Sequence, residues 1–291
     1  MTRITFLGSG TSQGVPMIGC KCPVCRSQDP KDKRLRASVL VEHEGLSILI
    51  DAGPDFRQQM LREDIDHLDA ILLTHNHKDH TGGLDDIRSF NLLEGHPVNI
   101  YCEKYVIESL KREYAYAFAE PRYPGAPEWM VREIEAGKSF EVHSNSWEDR
   151  LEWVSGVGYQ HLPASEEEKA LHPQTVKILP IRGWHDRKGF WPVLGYRIGN
   201  MAYMTDIASI EESEIEKLKG VDFVTVNCVK RAQHYSHFSL DEALNFFQKV
   251  GAKYSYLTHI SHLLPPYAEF SKELAAHGVL LAYDGLKVEL E

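Results

Sequence analysis

The chain has 291 residues, enough for one large domain or two smaller ones. A hydrophobic fraction of 43% with 25% charged residues is that of a folded globular protein, which excludes fibrous and disordered classes. The net charge of −10 argues against a general nucleic-acid binder while leaving a small anionic substrate open.

No apolar run approaches the ~20 residues needed to span a bilayer, so no membrane partner is expected. Met1–Gly8 reads as a strand and not as a signal sequence, and a cytoplasmic location is expected. Ile4–Leu7 is that first strand. A Gly-, Cys- and Pro-rich loop follows over residues 8–36. It holds three of the five cysteines in Gly19-Cys20-Lys21-Cys22-Pro23-Val24-Cys25. In a reducing compartment, cysteines this close read as metal ligands rather than disulfide partners. No basic helix follows them, against a nucleic-acid zinc finger. No helix is expected after them, against a redox motif.

Ser38–Glu42 and Leu46–Ile50 form a hairpin around Glu44-Gly45. Phe56–Leu61 is a short helix, and the apolar run Ala70–Leu73 is a buried strand. It leads into Thr74-His75-Asn76-His77-Lys78-Asp79-His80. Nitrogen and oxygen donors this dense suit a borderline divalent ion such as zinc, the plain alternative being a polar turn. His75 and His77, two apart on an extended segment, project the same way and can grip one ion. Asp79 and His80 follow in the turn, placed to reach a second.

Leu84–Leu93 is expected to be a helix, Val98–Tyr101 a strand and Lys104–Tyr114 a helix. Residues of about 115–174 differ in character, with several prolines, the acidic run Glu166–Glu168 and many aromatics. All five tryptophans lie between Trp129 and Trp191. A β-rich insertion with its own small core fits this stretch, and so does a lid or homodimer surface beside the site. Regular alternation then resumes. Val176–Ile181, Val193–Ile198, Met201–Met204, Phe223–Val229 and Tyr254–Leu257 are strands. Glu211–Leu218, Leu240–Val250 and Ala268–His277 are helices. Val279–Tyr283 and Leu286–Leu290 read as a hairpin on Asp284-Gly285. Cys102 and Cys228, in strand-like runs, belong to the core. Strands then helices in each half fit an α/β (αββα) sandwich, two facing mixed β-sheets flanked by helices, as a single domain over residues 1–291.

Four clustered ligands cannot complete two metal shells, so further donors are expected at later strand ends. His185 in Gly183-Trp184-His185, Asp206 after Tyr203-Met204-Thr205, and His259 after Tyr256-Leu257-Thr258 each follow an apolar or β-branched run. Singly, each is more readily a structural or surface residue. Together with His75–His80 they form one set delivered to one end of the sheets.

That set, His-x-His-x-Asp-His followed by His, Asp and His, resembles the metallo-β-lactamase-fold hydrolases. The resemblance implies one metal on His75, His77 and His185, a second on Asp79, His80 and His259, and Asp206 bridging. Leu49-Ile50-Asp51-Ala52-Gly53 resembles the family's strand-end motif, which implies that Asp51 supports the ligands from behind. Gly8–Pro16 with Cys20–Cys25 resembles the phosphoribosyl cyclic phosphate phosphodiesterase family. This implies a structural zinc on Cys20, Cys22, Cys25 and His262. Ser236–Ala243 resembles the histidine-bearing segment of the phosphodiesterase branch, ribonuclease Z included. It implies that His237 stabilises the phosphorane-like state or protonates the leaving oxygen, against the plain reading of a helix start capped by Ser239. Catalytic roles then fall to His237 and Asp79.

The expected function is a dinuclear phosphodiesterase, with zinc or manganese, acting on a small cyclic phosphodiester. Three alternatives share the fold. An RNA 3′-end nuclease like ribonuclease Z would need a basic arm where residues 115–174 are acidic. A thioester hydrolase would not explain His237, and the filled ligand set argues against a non-catalytic protein of the pyrroloquinoline quinone assembly type. His43, His67, His96, His143, His161, His172, His234 and His277 show no partner pattern and read as surface or core.

Overall fold

The computed structural model describes residues 1–144, 149–155, 158–163 and 175–291. Two seven-stranded sheets face each other. The first runs in the order β16 (Lys287–Leu290), β1 (Thr2–Gly8), β2 (Ser38–His43), β3 (Leu46–Ile50), β4 (Ala70–Leu72), β5 (Val98–Cys102), β6 (Trp129–Glu133). The second runs β15 (Val279–Leu281), β14 (Tyr254–Thr258), β13 (Phe223–Asn227), β12 (Met201–Tyr203), β11 (Pro192–Ile198), β10 (Thr175–Trp184), β7 (Phe140–His143). β8 (Asp149–Val154) and β9 (Gly158–Pro163) pair antiparallel as a separate two-stranded sheet. Among the described residues no helix is long and apolar enough to cross a membrane.

The apolar run Ala70–Leu73 explains the layering. Ala70 and Leu72 join the core between the sheets, whereas Ile71 and Leu73 pack outward under the helices Phe56–Glu63 and Lys104–Glu113. A strand buried on both faces has no polar side to show, hence the unbroken apolar run. The second sheet repeats the scheme. Phe223 lies between the sheets, and Val224 and Val226 lie under Leu240–Val250 and Tyr267–Ala275. Parallel pairing of β3, β4 and β5, and of β12, β13 and β14, sends their C-terminal ends in one direction within each sheet. Tyr196 crosses the interface, its hydroxyl donating to the Leu73 carbonyl at 2.6 Å. The two sheets are thereby tied directly beneath Thr74–His80. Cys102 and Cys228 are fully buried, as expected of core thiols.

The structure corrects several local expectations. Val279–Leu281 and Lys287–Leu290 are not a hairpin: the first pairs parallel with β14 and the second antiparallel with β1, in different sheets. Asp284 holds the crossing, accepting from Ser9 N, Ser9 Oγ and Leu35 N, so the Asp-Gly pair marks a change of sheet rather than a tight turn. Within the stretch expected as an insertion, Trp129–Glu133 and Phe140–His143 are edge strands of the two main sheets. The acidic run Glu166–Glu168 lies outside the described residues. Leu84–Ile87 is a 3₁₀ turn before the helix Arg88–Glu94, and a one-turn helix, Pro23–Arg26, stands inside the cysteine motif where none was expected.

His67, expected as an ordinary surface or core histidine, is mostly buried between Asp69 (3.2 Å) and Glu94 (2.9 Å). Burial alone would lower its pKa, but hydrogen bonds to the two carboxylates outweigh this and raise it to about 9. The folded value exceeds the unfolded one, so the stabilisation is complete below pH ~6.5 and disappears as pH rises through 9. His67→Gln should therefore cost ~2 kcal/mol in urea denaturation at pH 6 and little at pH 10. An equal loss at both values would contradict the ionic role.

Candidate active site

Each donor sits just beyond the C-terminal end of a strand. Asp51 follows β3, His75–His80 follow β4, His185 follows β10, Asp206 follows β12 and His259 follows β14. Three of them have left-handed backbones, with φ of 65° at Asp51, 56° at Asp206 and 53° at His259. That region is uncommon for residues with a Cβ and concentrates where function demands a particular aim. Gly53 is required for close approach: a Cβ there would lie 2.0 Å from the Asp79 carbonyl oxygen. The strand-end motif thus lets the turn Lys78–Thr81 pack onto it.

The structure brings together every residue read from the sequence for the site. His75, His77 and His185 form one group of donors, with ligand atoms within 4.8 Å of one another. Asp79, His80, Asp206 and His259 form a second. His80 Nε2 lies 3.2 Å from both Asp79 Oδ2 and Asp206 Oδ2, and His259 Nε2 lies 3.1 Å from Asp206 Oδ1. His185, of the first group, reaches Asp206 Oδ1 at 4.0 Å. The same carboxylate therefore faces both groups.

The backs of three imidazoles are spoken for. His80 Nδ1 donates to Asp51 Oδ2 at 2.7 Å, and His185 Nδ1 to the Ser236 carbonyl at 2.8 Å. Thr74 Oγ1 donates to Asp51 and so accepts from His75 Nδ1 at 2.9 Å. In all three rings these bonds hold a proton on Nδ1 and turn Nε2 toward the centre, the orientation a metal ligand needs. His75 Nε2, His80 Nε2 and both nitrogens of His259 are buried yet make no hydrogen bond of acceptable geometry. Buried polar atoms are normally satisfied, and a borderline divalent cation between the groups would satisfy these. The residues present fit a pair of such ions.

The electrostatics point the same way. Burial would lower the His80 pKa, but Asp206, Asp79 and Asp51 outweigh it and hold the ring well above its ordinary value. Burial, and then the charge of His80, push His75 well below the usual range, and burial takes His185 to about 4. Asp206 and Asp79 resist burial and stay far below the carboxylate range because His259 and His80 face them. Positive charge is demanded between these carboxylates, and a metal ion would replace the proton that otherwise supplies it.

His237 lies beside this set, its Nε2 3.1 Å from Asp206 Oδ1. Its backbone is aimed by the bond from Phe238 N to Ile207 O, and Asn227 clamps Ile207 through both its N–H and its C=O. The plain reading of the segment is also present: Ser239 and Glu242 form a complete capping box on Leu240–Val250. The two readings are compatible, since the cap starts the helix that carries His237 at its mouth. His234, passed over in the sequence as patternless, lies 3.2 Å from His237 Nδ1, and Ser236 Oγ lies 2.9 Å from it. A His-x-x-His pair before a capped helix was the signal that could have found it.

At the edge of the molecule Cys20 and Cys22 Sγ approach His262 Nδ1 at 3.4 and 3.5 Å, and Cys25 completes the group. The Cys25 N–H points at Cys22 and draws that thiol down to about 6. Three soft sulfurs and one nitrogen are the donor set of a closed tetrahedral zinc site.

A fold of two sheets with His and Asp at the strand ends is the arrangement of metal-dependent hydrolases. Residues 47–260 match the model of the beta-lactamase superfamily domain, so the chain belongs to that superfamily. Within it, a crystal structure of a diphosphatase from the PhnP family is 36% identical over all of this chain and 98% of that one, at a TM-score of 0.80. The chain is a member of that family. An octanoyltransferase of Porphyromonas gingivalis is 37% identical over 99% of this chain, which spans only about half (52%) of that protein. The zinc-bound PqqB of Methylobacterium extorquens shares the fold, with a TM-score of 0.69 and 19% identity over 99% of this chain and 100% of that one.

Replacing Asp51 with Asn swaps an acceptor of three bonds for an amide that must turn a donor toward Thr74 or His80. The Asp51→Asn protein should bind zinc 10- to 100-fold more weakly by competition with a chelator. Unchanged affinity would remove Asp51 from its supporting role.

Proposed function

We propose that the protein is a metal-dependent hydrolase that cleaves a small phosphodiester, cyclic in the simplest case. The observation that carries this is the convergence of the two donor groups on Asp206, with His237 beside the shared carboxylate. In this reading His75, His77 and His185 hold one zinc or manganese ion, Asp79, His80 and His259 the other, and Asp206 bridges. Two such ions, when bound, would supply a hydroxide at neutral pH and offset charge on the phosphoryl oxygens. The protein residues do the rest. Asp206 can only accept, so the His237 proton facing it sits on Nε2, while Ser236 Oγ donates to Nδ1. That N–H is placed to donate a hydrogen bond to the departing alkoxide and stabilise its developing charge, and the left-handed turns at Asp206 and His259 keep the acceptors in register.

Two features favour phosphorus over a thioester. A thiolate leaves without help from a donor, so a mostly buried N–H aimed at the leaving group suits an alkoxide. The PhnP-family relative at 36% identity is itself a diphosphatase, and the ester-bearing phosphorus of an organic diphosphate is doubly substituted like that of a diester. The octanoyltransferase does not redirect the proposal, because this chain spans only half of it. An RNA-processing role is disfavoured by the acidic balance of the chain. In the same reading Cys20, Cys22, Cys25 and His262 hold a structural zinc that pins the loop over residues 8–36 to the end of β14.

Two experiments test these assignments. Zinc- or manganese-loaded protein should hydrolyse a ribose cyclic phosphate. His237→Ala should lower kcat about 100-fold or more with the ions retained, and Asp206→Ala should abolish turnover. Metal-dependent turnover of a glutathione thioester but of no phosphodiester or diphosphate would overturn the proposal. Elemental analysis of Cys22→Ser should show one zinc lost and the strand-end ions kept, and loss of none would refute the structural site.

A further inference from the structure

The loop that follows His185 is built more firmly than its exposure requires. Asp186 accepts backbone N–H bonds from Lys188, Phe190 (2.9 Å) and Trp191 (2.6 Å), and its own carbonyl accepts from Ser209 Oγ at 2.8 Å. Gly189 has a left-handed backbone at φ 75°, and a Cβ there would lie 3.7 Å from the Trp184 ring. The product of this bracing is two presented aromatics: Phe190 is 72% and Trp191 67% exposed. Large apolar side chains held rigidly in solvent mark a contact surface more often than a packing accident.

Their place is set by the ladder. The β10–β11 pairing ends with Trp184 opposite Pro192, and the bond from His185 N to Trp191 O (2.7 Å) carries it one residue further. Residues directly opposite in an antiparallel pair project from the same face. Trp191 therefore rises on the side of His185, the side of the donor groups. Arg187 then straps this loop to the His237 segment, donating to the carbonyls of His234 (2.8 Å) and His237 (3.4 Å) while paired with Glu242. On that segment Tyr235 is 78% exposed and stacked on His234, whose ring centroid is 5.1 Å from that of His237. A cation, Lys188, is exposed on the same loop.

We propose that Trp191, with Phe190, is a stacking platform that selects a substrate carrying a planar heteroaromatic ring of nucleoside type next to the phosphoryl group. This rests on the phosphoryl-hydrolase reading and narrows it from any small diester to a nucleotide-like one. Ring stacking on an exposed indole tolerates any base, because every base offers a π-face, and Lys188 suits the attached anion. Asp186 and Arg187 act as positioning residues for the platform.

Calorimetry on the zinc-loaded protein separates the possibilities, with adenosine monophosphate and ribose 5-phosphate as probes that differ only in the ring. The wild type should bind the nucleotide about 10-fold more tightly than the sugar phosphate. Trp191→Ala should reduce that ratio to near one, and Trp191→Phe should keep most of it. In the wild type the nucleotide should also quench tryptophan fluorescence where the sugar phosphate does not, and Trp191→Phe should lose the quenching. Equal affinity for the two probes, or a ratio unchanged in Trp191→Ala, overturns the platform and leaves the hydrolase reading intact. Binding of neither probe overturns the platform, and the hydrolase reading is then decided separately by turnover of the ribose cyclic phosphate.

Discussion

The carboxylate of Asp206 lies within 4.0 Å of four imidazoles, those of His80, His185, His237 and His259, in a pocket from which solvent is almost excluded. Such a group is expensive to bury: removing a carboxylate from water costs several kcal/mol unless opposite charge accompanies it. The surrounding rings cannot all be protonated, since like charges at this distance repel. A divalent cation resolves the conflict, because it meets the carboxylates and lets every imidazole stay neutral. Three left-handed residues and a row of unpaired nitrogens persist only because the sheets over-determine their positions. The core between the sheets and the Tyr196–Leu73 bond offset a site that is unfavourable on its own.

The edge of the site depends on the chain's first loop. Ser9 O accepts from Ile260 N, and Thr11 N donates to Ile260 O, so this loop pairs with the residue after His259. Arg34, fully buried, donates to Ser9 Oγ and to the Ala282 carbonyl, and Asp284 binds Ser9 and Leu35 from the far end of the chain. Burial lowers the Arg34 guanidinium to about 10, still charged at neutral pH, with Asp284 and Asp32 opposing the loss. The Cys₃His group closes the same loop onto His262, three residues beyond His259. Sequence neighbours at the end of β14 thus serve two donor sets, and displacing one strains the other.

What the sequence disclosed follows from how directly each signal maps to geometry. His75, His77, Asp79 and His80 were legible because ligand spacing is local, and the unbroken run Ala70–Leu73 located the strand that delivers them. His185, Asp206 and His259 were legible only as a set, since each alone is an ordinary polar residue after an apolar run. The final strands were misread because Asp284-Gly285 has the composition of a hairpin turn. Only the bonds to Ser9 and Leu35 distinguish a crossing between sheets. Trp129–Glu133 was missed for a related reason: an edge strand keeps only part of its alternation, and its pairing with β5 is a long-range fact. His67 gave no local sign because its partner Glu94 is set by tertiary packing, whereas His234 was marked only by its three-residue spacing from His237 before a capped helix.

Under the proposed function, charge balance would connect the acidic chain to an anionic substrate. At −10 the protein as a whole repels phosphate, and the strand-end site adds two carboxylates, Asp79 and Asp206, with Asp51 directly behind. Neutral imidazoles supply nothing to reverse that sign. Two dications would outweigh the two facing carboxylates and leave a local positive excess inside an otherwise negative surface. In that reading the ions that relieve the buried nitrogens are also the main attraction the strand-end donors offer a phosphoryl group. Under the proposed function, metal binding and substrate binding would therefore be coupled through charge before any bond is broken. Selectivity among anions must come from what lies outside the ions, and the rigidly presented aromatic edge beside His185 is the surface placed to provide it.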